Sequence, residues 1–235
     1  MKHALIFAAG RGERMRPLTD HTPKPLLPVG GKPLIAWTLE RLAAAGYGQV
    51  VINTSHLAGQ FPAMLGDGSR WGLCIHYADE GPVALETGGG MLNALPLLGS
   101  GSFLAINGDI WCDADLASLP PQPAGLAHLL LVDNPPEHAQ GDFVLEADGG
   151  VRDEGAPRLT FSGIGVYRPS LLDGWREVID TPIDPAMPPR FKLAPLLFAA
   201  IRRGQASGAH HHGAWNDIGT PARLEALRAS IRQGP

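Results

Sequence analysis

Short apolar runs alternate with helical patterns along the chain. Residues 4–9 form an uninterrupted apolar run that ends in glycine, which predicts a buried strand. Residues 33–46 begin with proline, carry apolar side chains at helical spacing and end at Gly46, which predicts an amphipathic helix. Residues 50–53 predict a second buried strand. This succession is a βαβ unit, which requires parallel pairing and a right-handed crossover.

The same alternation continues toward the C terminus. Further buried strands are predicted at residues 74–77, 103–109 and 128–132. Further helices are predicted at residues 88–95, ended by Pro96, and at residues 170–179, 193–203 and 221–232. After residue 140 the pattern changes, and two antiparallel strands are predicted at residues 142–146 and 159–167. A proline-rich stretch at residues 181–189 predicts a surface loop.

These elements predict an α/β fold, a doubly wound (Rossmann-like) and mostly parallel sheet with a small antiparallel insertion. The chain of 235 residues suits one domain, with residues 1–135 and 205–235 as the core and residues 136–204 as the insertion. Sheets of this kind bind ligands outside the carboxyl ends of their strands. Polar residues that directly follow a strand, such as Asp109, are therefore candidates for chemistry.

Composition narrows the class of protein. A net charge of −4 carries no footprint of nucleic-acid binding, and no apolar run approaches the length of a membrane span. The chain starts directly with a strand rather than with a signal-peptide pattern. Its two cysteines, Cys74 and Cys112, form no metal-ligand spacing and suggest reduced thiols. The sequence therefore predicts a cytoplasmic protein that binds neither nucleic acid nor membrane.

Charge is distributed unevenly along the chain. Residues 1–32 hold six lysines and arginines against two acidic residues, although the whole chain is mildly acidic. The cations include Arg11, Arg14 and Lys24, which follow the first strand and are interspersed with glycines. Glycine allows a backbone to approach a ligand closely, and its free N–H groups form a nest for phosphate oxygens. This segment therefore predicts a binding site for a polyanion.

The same segment resembles a known family. Residues 10–19, G-R-G-E-R-M-R-P-L-T, followed by Pro23-Lys24-Pro25, are similar to the G-x-G-T-R-[LM]-x-P-L-T and P-K-P motifs of the sugar-phosphate nucleotidyltransferases. Glu13 replaces the family's threonine. Gly108-Asp109 and residues 215–220, W-N-D-I-G-T, resemble two further motifs of that family in the same order. The resemblance covers most of the chain and implies transfer of a nucleotidyl group from an NTP to a sugar 1-phosphate.

The resemblance implies roles for individual residues. Lys24 and Arg14 are the expected catalytic residues, Lys24 at the α-phosphate and Arg14 at the phosphates that leave as pyrophosphate. Asp109 and Asp217 are expected to hold Mg²⁺, for which two distant carboxylates and a substrate phosphate are a common ligand set. The alternative role is a helix or turn cap for Asp109 and a cap of the final helix for Asp217, and Asn216 could share the metal. The expected nucleotide-binding residues are Ala8, Ala9, Gly10, Arg11, Gly12, Arg14, Lys24, Thr87, Gly88 and Asn107.

The insertion is expected to bind the sugar. Residues 140–144 and 161–167 resemble the family's Y-G-V-V and A-G-I-Y segments, but the intervening E-K-P motif is missing. The expected sugar-binding residues are therefore Gly141, Asp142, Glu154 and Gly163, with Glu154 as the nearest substitute for the missing motif. Lys192 either replaces the charge of the missing lysine or is a surface residue at a helix start.

Residues 85–90, L-E-T-G-G-G, narrow the resemblance, because they are similar to the N-acetylmuramate 1-phosphate uridylyltransferases of peptidoglycan recycling. The expected substrates are thus UTP and N-acetylmuramate 1-phosphate. Mannose 1-phosphate guanylyltransferase, glucose 1-phosphate nucleotidyltransferase and a non-catalytic regulatory subunit that binds a nucleotide sugar are the alternatives. The tract His210-His211-His212 is not expected to bind a metal, because adjacent residues of a strand point to opposite faces.

Overall fold

A computed structural model describes residues 1–180 and 187–233. Its strands are β1 Lys2–Phe7, β2 Pro28–Val29, β3 Lys32–Pro33, β4 Tyr47–Thr54, β5 Cys74–Asp79, β6 Phe103–Asn107, β7 Ile110–Cys112, β8 Ala127–Val132, β9 Val144–Leu145, β10 Val151–Arg152, β11 Thr160–Tyr167, β12 Ala206–His211 and β13 Trp215–Asp217. Its α-helices are α1 Leu34–Ala44, α2 Gln60–Leu65, α3 Glu86–Leu98, α4 Trp175–Val178, α5 Ala194–Arg202 and α6 Pro221–Gln233. Of the predicted loop at residues 181–189, residues 181–186 lie outside the described residues.

A seven-stranded sheet in the order β12-β8-β11-β6-β1-β4-β5 organises the fold. Strand β1 pairs in parallel with β4 and β6, and β12 pairs in parallel with β8. Strand β11 is antiparallel to both of its neighbours, β6 and β8. The predicted α/β class with a mostly parallel sheet is confirmed. The strands other than β11 thus end at a common edge, called the carboxyl edge below.

Both faces of the sheet are covered, as a parallel sheet requires. Along β1, Leu5 packs into one apolar cluster, which includes Met91 of α3. Its neighbour Ile6 packs into the cluster on the opposite face, which includes Ile35 and Leu39 of α1. All five side chains are fully buried, and each contributes roughly 1.5–3 kcal/mol relative to an exposed position. These two layers hold β1, and therefore its carboxyl end, at a fixed place in the sheet.

A third apolar cluster fastens the segment that follows β1. Met15 and Leu27 from this segment pack with Ile218 and Leu224, which lie just after β13 and in α6. All four side chains are buried. The C-terminal helix therefore packs directly against the basic segment and brings residues 14 and 217 into one region of the molecule.

Several predicted elements differ from the structure in extent. Helix α3 continues through Pro96 to Leu98, because only one amide donor is lost near its end and the Gly99 N–H still bonds the Leu95 carbonyl at 3.1 Å. The predicted helix 170–179 is divided by Gly174, whose φ of 66° lies in the left-handed region, so that only α4 follows it. Helix α2 lies where no element is predicted. Strand β12 contains His210 and His211, which confirms the prediction that the histidine tract lies in or beside a strand.

Strand β11 differs in location rather than in type. Its residues are predicted as an antiparallel strand of the insertion, whereas Thr160–Tyr167 pairs at the centre of the main sheet. The smaller antiparallel pair, β9 with β10, forms a separate two-stranded sheet. Its turn contacts the edge strand β12, where the Gly208 N–H donates to the Gly149 carbonyl at 2.9 Å. Residues 136–204 thus contribute one strand to the core sheet, and this places Gly163 beside the end of β6. Among the described residues, no helix has the length and apolar character needed to cross a membrane.

Candidate active site

A cavity of about 700 Å³ opens at the carboxyl edge beside β1, β4 and β6. This volume is in the usual range for small-molecule sites. Of the predicted nucleotide-binding residues, those that line it are Ala8, Ala9, Gly10, Arg11, Gly12, Arg14, Lys24, Thr87 and Asn107. The predicted metal ligand Asp109 also lines it. The structure thus brings the motifs at residues 8–24, 87 and 107–109 to one cavity, called the first cavity below.

The basic segment turns sharply at Gly12. The φ of Gly12 is 66°, and a Cβ there would lie 2.9 Å from the Thr19 methyl group. The Thr19 hydroxyl and the Met15 N–H both donate to the Gly12 carbonyl, each at 2.8 Å. The turn leaves Arg11 and Arg14 exposed at the cavity, and neither forms an ion pair with a carboxylate among the described residues. Both guanidinium groups are therefore available to an anionic ligand.

Lys24 lies in a short 3-10 turn, Lys24–Leu26, with a proline on each side. Burial of Pro25 and Leu26 fixes this turn against the body of the protein. The Lys24 ammonium contacts the Asp109 carboxylate, and the side chains are 12% and 28% exposed, respectively. Lys24 is thus directed onto Asp109 rather than free in solvent.

Asp109 and Asp217 are brought together by an antiparallel pair. Strand β7 pairs with β13 so that Asp217 lies opposite Ile110, and the Ile218 N–H donates to the Asp109 carbonyl at 2.9 Å. Burial raises the pKa of Asp217, and the nearby Asp109 charge raises it further, against the lowering effect of nearby cations. Two carboxylates that repel each other in a half-buried place are chemically suited to share a divalent cation.

Asn216 points away from this pair. Successive side chains of a strand alternate between faces, and Trp215 and Asp217 line one cavity wall from which Asn216 is absent. The Asp217 carboxylate lies 3.2 Å from the guanidinium of Arg223, a residue of α6. Among the described residues, the arrangement therefore favours Asp217 over Asn216 as a partner of Asp109.

A second cavity of about 400 Å³ adjoins the first. The two share Arg14, Asn107 and Asp109 in their linings. The remaining lining of the second cavity comes from the start of β7, the loop after β8, the start of β11, and the region of β13 and α6, including Glu137, Gly163 and Asp217. Three shared side chains thus mark the junction where ligands in the two cavities would meet.

One of the four predicted sugar-binding residues lines the second cavity, and the other three do not. Gly163 lines it, and a Cβ at this residue would lie 2.6 Å from the Asn107 amide nitrogen. Asp142 lies behind the wall, where its carboxylate accepts from the Phe161 N–H at 2.8 Å and contacts His138 at 2.9 Å. Gly141, with a φ of 62°, packs in the turn beside it. Glu154 is exposed between β10 and β11 and lines neither cavity.

Lys192 belongs to a different surface. It is exposed two residues before α5 and lines a third cavity, which touches the first at Glu86 and Arg190. It is not among the residues that line the second cavity. Its position therefore favours a surface residue at a helix start over a substitute for the missing lysine.

The comparisons with known proteins agree with this geometry. A family model described as Nucleotidyl transferase matches residues 3–125, which is more than half of the chain. The chain belongs to the nucleotidyl transferase family. The resemblance drawn from residues 10–25 is thereby confirmed.

Full-length relatives of this nucleotidyl transferase carry a specific name. The chain is 48% identical over 235 residues to an N-acetylmuramate alpha-1-phosphate uridylyltransferase of Neisseria meningitidis serogroup B, with 96% of each chain covered. It is 34% identical to a protein of the same name from Caulobacter vibrioides, with 99% of this chain and 98% of the relative covered. The resemblance to that subgroup, drawn from residues 85–90, is confirmed.

A solved structure supports the fold. A putative glucose-1-phosphate thymidylyltransferase from Bacillus anthracis, in complex with a sucrose, superposes with a TM-score of 0.83 at 21% identity. The match covers 100% of this chain and 97% of the other. At this level of identity the likeness concerns the fold of the nucleotidyl transferase alone.

In this nucleotidyl transferase Thr87 lies at the first cavity, whereas Gly88 serves packing. Thr87 lines the first cavity, and its hydroxyl accepts from the Leu193 N–H at 2.9 Å. The Gly88 N–H donates to the Phe191 carbonyl at 2.9 Å, and a Cβ at Gly88 would lie 2.5 Å from the Phe191 ring. Gly88 thus permits the chain at residue 191 to pack on α3, and it does not line the first cavity.

Sequence analysis missed two buried residues at the floor of the first cavity. The Asn53 side chain accepts from the Ala8 N–H and donates to the Glu80 carboxylate, both at 2.6 Å. The other Glu80 oxygen accepts from the Leu85 N–H at 2.6 Å. Burial raises the pKa of Glu80. This network joins the ends of β1, β4 and β5 to the start of α3, and it is called the floor network below.

The floor network depends on a small neighbour, and its two residues carry a signal in the sequence. A Cβ at Gly90 would lie 2.4 Å from the Glu80 carboxylate and 2.7 Å from the Asn53 amide nitrogen. Like Asp109, Asn53 comes at the end of an apolar strand, and Glu80 directly follows the next one. A search for every polar residue at a strand end would have found both.

Proposed function

We propose that this protein transfers a uridylyl group from UTP to N-acetylmuramate 1-phosphate and releases pyrophosphate. The observation that carries the proposal is the junction of two cavities at Arg14, Asn107 and Asp109. A larger cavity bordered by a basic glycine turn suits the nucleotide, and the adjoining smaller one suits the sugar. The choice of base and sugar rests on the two full-length relatives that carry this name. The product, UDP-N-acetylmuramate, would serve peptidoglycan recycling in the cytoplasm.

The proposed reaction is a direct displacement. An oxygen of the sugar 1-phosphate attacks the α-phosphorus of UTP, a new P–O bond forms, and the bond to the leaving pyrophosphate breaks with its electron pair on pyrophosphate. The attacking phosphate oxygen is already ionised at neutral pH, so that no general base is needed. Catalysis then consists of positioning and of neutralising the charge on the reacting phosphates.

Cations of the junction supply that neutralisation. Lys24 is held at Asp109, which is shared by both cavities, and suits the α-phosphate. Arg14 lines both cavities as well and suits the β- and γ-phosphates. A positioned charge of this kind stabilises the transition state more than the ground state, because negative charge grows on the non-bridging oxygens in the transition state.

Mg²⁺ is part of the proposal. Asp109 and Asp217 would hold it, because their carboxylates lie close enough to raise the pKa of Asp217 and face the region of Lys24 and Arg14. A bound Mg²⁺ neutralises phosphate charge and orients the phosphate oxygens. Lys24 and Arg223 are the cations that contact these two carboxylates in the protein itself.

The acceptor has a feature that suits the second cavity. N-acetylmuramate carries an acidic side group that glucose and mannose lack, and a cation in the wall would be the partner of this group. Arg223 lines this cavity, with His138 on the same wall. Arg223 is already paired with Glu137 and Asp217, so that it is held in place in the wall rather than free to move. An ordered guanidinium is well suited to recognise a carboxylate.

Substrate comparison tests the proposal. Pyrophosphate release is measured for UTP, GTP and dTTP, each with the 1-phosphates of N-acetylmuramate, mannose and glucose, in the presence of Mg²⁺. We expect kcat/KM for UTP with N-acetylmuramate 1-phosphate to exceed every other pair by at least about tenfold. Preference for GTP with mannose 1-phosphate, or for a glucose 1-phosphate pair, would favour the corresponding alternative enzyme. Binding of a nucleotide sugar without turnover of any pair would indicate a regulatory subunit.

A further inference from the structure

The histidine tract at the end of β12 divides between the two faces of the strand. His210 and His212 lie on one side, with ring centroids 3.9 Å apart. His211 turns to the other side, where its Nε2 lies 2.7 Å from the Asp113 carboxylate. Alternation therefore prevents all three histidines from sharing one ligand, as expected, but it leaves His210 and His212 together.

A carboxylate from the neighbouring strand completes this group. Strand β12 runs parallel to β8, with His210 opposite Leu131 and His211 opposite Val132. Asp133 follows β8 directly, so that it arrives at the same edge of the sheet as the histidines. Its carboxylate lies 2.9 Å from the His210 Nε2.

The three side chains have the chemistry of a metal site. One nitrogen of each histidine and one oxygen of Asp133 all lie within 4.8 Å of one another. Two imidazoles and a carboxylate form a familiar ligand set for zinc, in which water takes the fourth position. Tetrahedral zinc holds its ligand atoms about 3.4 Å apart, from bond lengths near 2 Å. The side chain of Asp133 is 78% exposed and can rotate by the small amount this requires.

We propose that Asp133, His210 and His212 bind a divalent transition-metal ion of the zinc class. This site is separate from the Asp109 and Asp217 pair, and none of its three residues lines either cavity. Its ligands differ in kind as well, because imidazole nitrogen prefers zinc whereas carboxylate oxygen alone suits Mg²⁺.

The position of the site gives the metal a mechanical consequence. Asp133 begins the loop that carries Pro135, Glu137 and His138 on the wall of the second cavity. His212 begins the short connection to β13, which carries Trp215 and Asp217 on the same cavity. A metal bound to both segments would tie two parts of that wall together at their base.

The opposite face carries a poorer candidate. Cys112, Asp113 and His211 also lie within 4.8 Å of one another by their ligand atoms. The Cys112 side chain is buried and packs with the apolar cluster that contains Ile35. The backbone closes over the rest, since a Cβ at Gly213 would lie 2.3 Å from the Asp113 carboxylate. This group therefore leaves less room for an ion and its bound water.

Zinc titration of the full, untagged chain tests the proposal. A large excess of Mg²⁺ is added to compete with zinc for the proposed site at Asp109 and Asp217. Zinc binding is followed by calorimetry and by metal content after gel filtration. We expect one zinc ion per chain. His210→Ala and His212→Ala should each weaken its binding by at least about 100-fold, because loss of a direct ligand costs more than loss of a supporting residue. His211→Ala, the adjacent histidine on the other face, is the matched control and should bind zinc as the wild type does.

Thermal unfolding of the same proteins supplies a second readout. Zinc should raise the Tm of the wild type and of His211→Ala, and it should leave the Tm of His212→Ala unchanged. Equal melting of the four proteins without zinc shows that the substitutions leave the fold intact. The proposal is overturned if the wild type binds zinc no better than His210→Ala and His212→Ala do. It is also overturned if only His211→Ala loses binding, because the ion then lies on the opposite face.

Discussion

The Lys24 ammonium contacts the Asp109 carboxylate at the junction of the two cavities. Lys24 comes from the turn after the first strand, and Asp109 follows a strand 85 residues later. The pairing of β1 with β6 makes them neighbours, since Phe7 lies opposite Asn107 and the Gly108 N–H donates to the Phe7 carbonyl at 2.8 Å. The parallel sheet thus joins a cation that suits a phosphate to a carboxylate that suits a metal.

Loss of the Lys24 charge should impair turnover more than folding. We expect Lys24→Gln to lower kcat by about 100- to 1000-fold, because it removes a positioned charge that stabilises the transition state. Lys32→Gln is the matched control, since Lys32 also pairs with a carboxylate, Glu40, but lines neither cavity. Pyrophosphate release and thermal unfolding of both variants distinguish the roles. Similar kcat values for the two variants would remove Lys24 from the proposed mechanism.

The floor network should matter to the shape of the nucleotide cavity. In Glu80→Gln, one carboxylate oxygen becomes an amide nitrogen that must face the N–H of Leu85 or the amide group of Asn53, and both are donors. Leaving such a buried group unsatisfied costs about 1–3 kcal/mol. We expect the free energy of unfolding, measured in urea, to fall by this amount. We also expect the KM for UTP to rise.

Asp79→Asn is the control for the floor network. Asp79 precedes Glu80 but is exposed and accepts only a local bond from the Gly81 N–H, at 2.9 Å. Its substitution should leave unfolding within about 0.5 kcal/mol of the wild type. If Glu80→Gln were as stable as this control and kept the KM for UTP, the floor network would have no role in holding the cavity.

Fold and site differ in how far the sequence predicts them. Strand β1 and helix α1 were predicted because their apolar spacing is a local property of the chain. The position of β11 was not, because it depends on pairs such as Gly165 with Ala105, which no local pattern contains. The positions of Asn53 and Glu80 at strand ends are a local signal, but the bond between them is not, since it joins residues 27 positions apart.

The predicted site residues differ in how firmly the sequence sets their positions. Arg14, Lys24, Asp109 and Asp217 lie in motifs whose backbone positions are set by strand ends, and the structure brings all four to one region. The prediction for Glu154 rests on analogy with a missing motif, and the structure leaves this residue exposed away from both cavities. Its role in sugar binding remains a prediction.

Asp217 should reduce the stability of the metal-free protein at neutral pH. Burial raises its pKa in the folded state, so its contribution to stability is full below the unfolded pKa of about 3.9 and is lost as pH rises through the folded value. Asp217→Asn removes this titration. In the absence of Mg²⁺ the variant should therefore melt at or above the Tm of the wild type at neutral pH, and this advantage should vanish in acid.

Activity gives the opposite result for the same substitution. Asp217→Asn should lose most Mg²⁺-dependent turnover, because an amide is a weaker ligand for Mg²⁺ than a carboxylate. A variant that melts well below the wild type at neutral pH would show that Asp217 stabilises the fold through Arg223 rather than serving chiefly the reaction.

We expect Gly163 to be required for two reasons, its backbone conformation and its close approach to Asn107. Its φ is 79°, and a Cβ would lie 2.6 Å from the Asn107 amide, which belongs to both cavities. Gly163→Ala should therefore destabilise the fold by about 1–2 kcal/mol and raise the KM for the sugar 1-phosphate. Gly31→Ala is the control, because Gly31 has a φ of 82° with no atom within 4 Å of the added Cβ. If both variants kept the wild-type KM, Gly163 would not shape the sugar site.

The position of the metal and the α-phosphorus tests the central claim most directly. A crystal structure with a non-hydrolysable UTP analogue and Mn²⁺ in place of Mg²⁺ locates both, since anomalous scattering identifies the manganese. We predict one manganese ion bound by the carboxylates of Asp109 and Asp217 and by a phosphate oxygen, with Lys24 at the α-phosphate. A triphosphate bound away from residues 10–24, or a manganese ion that touches neither aspartate, would contradict the account.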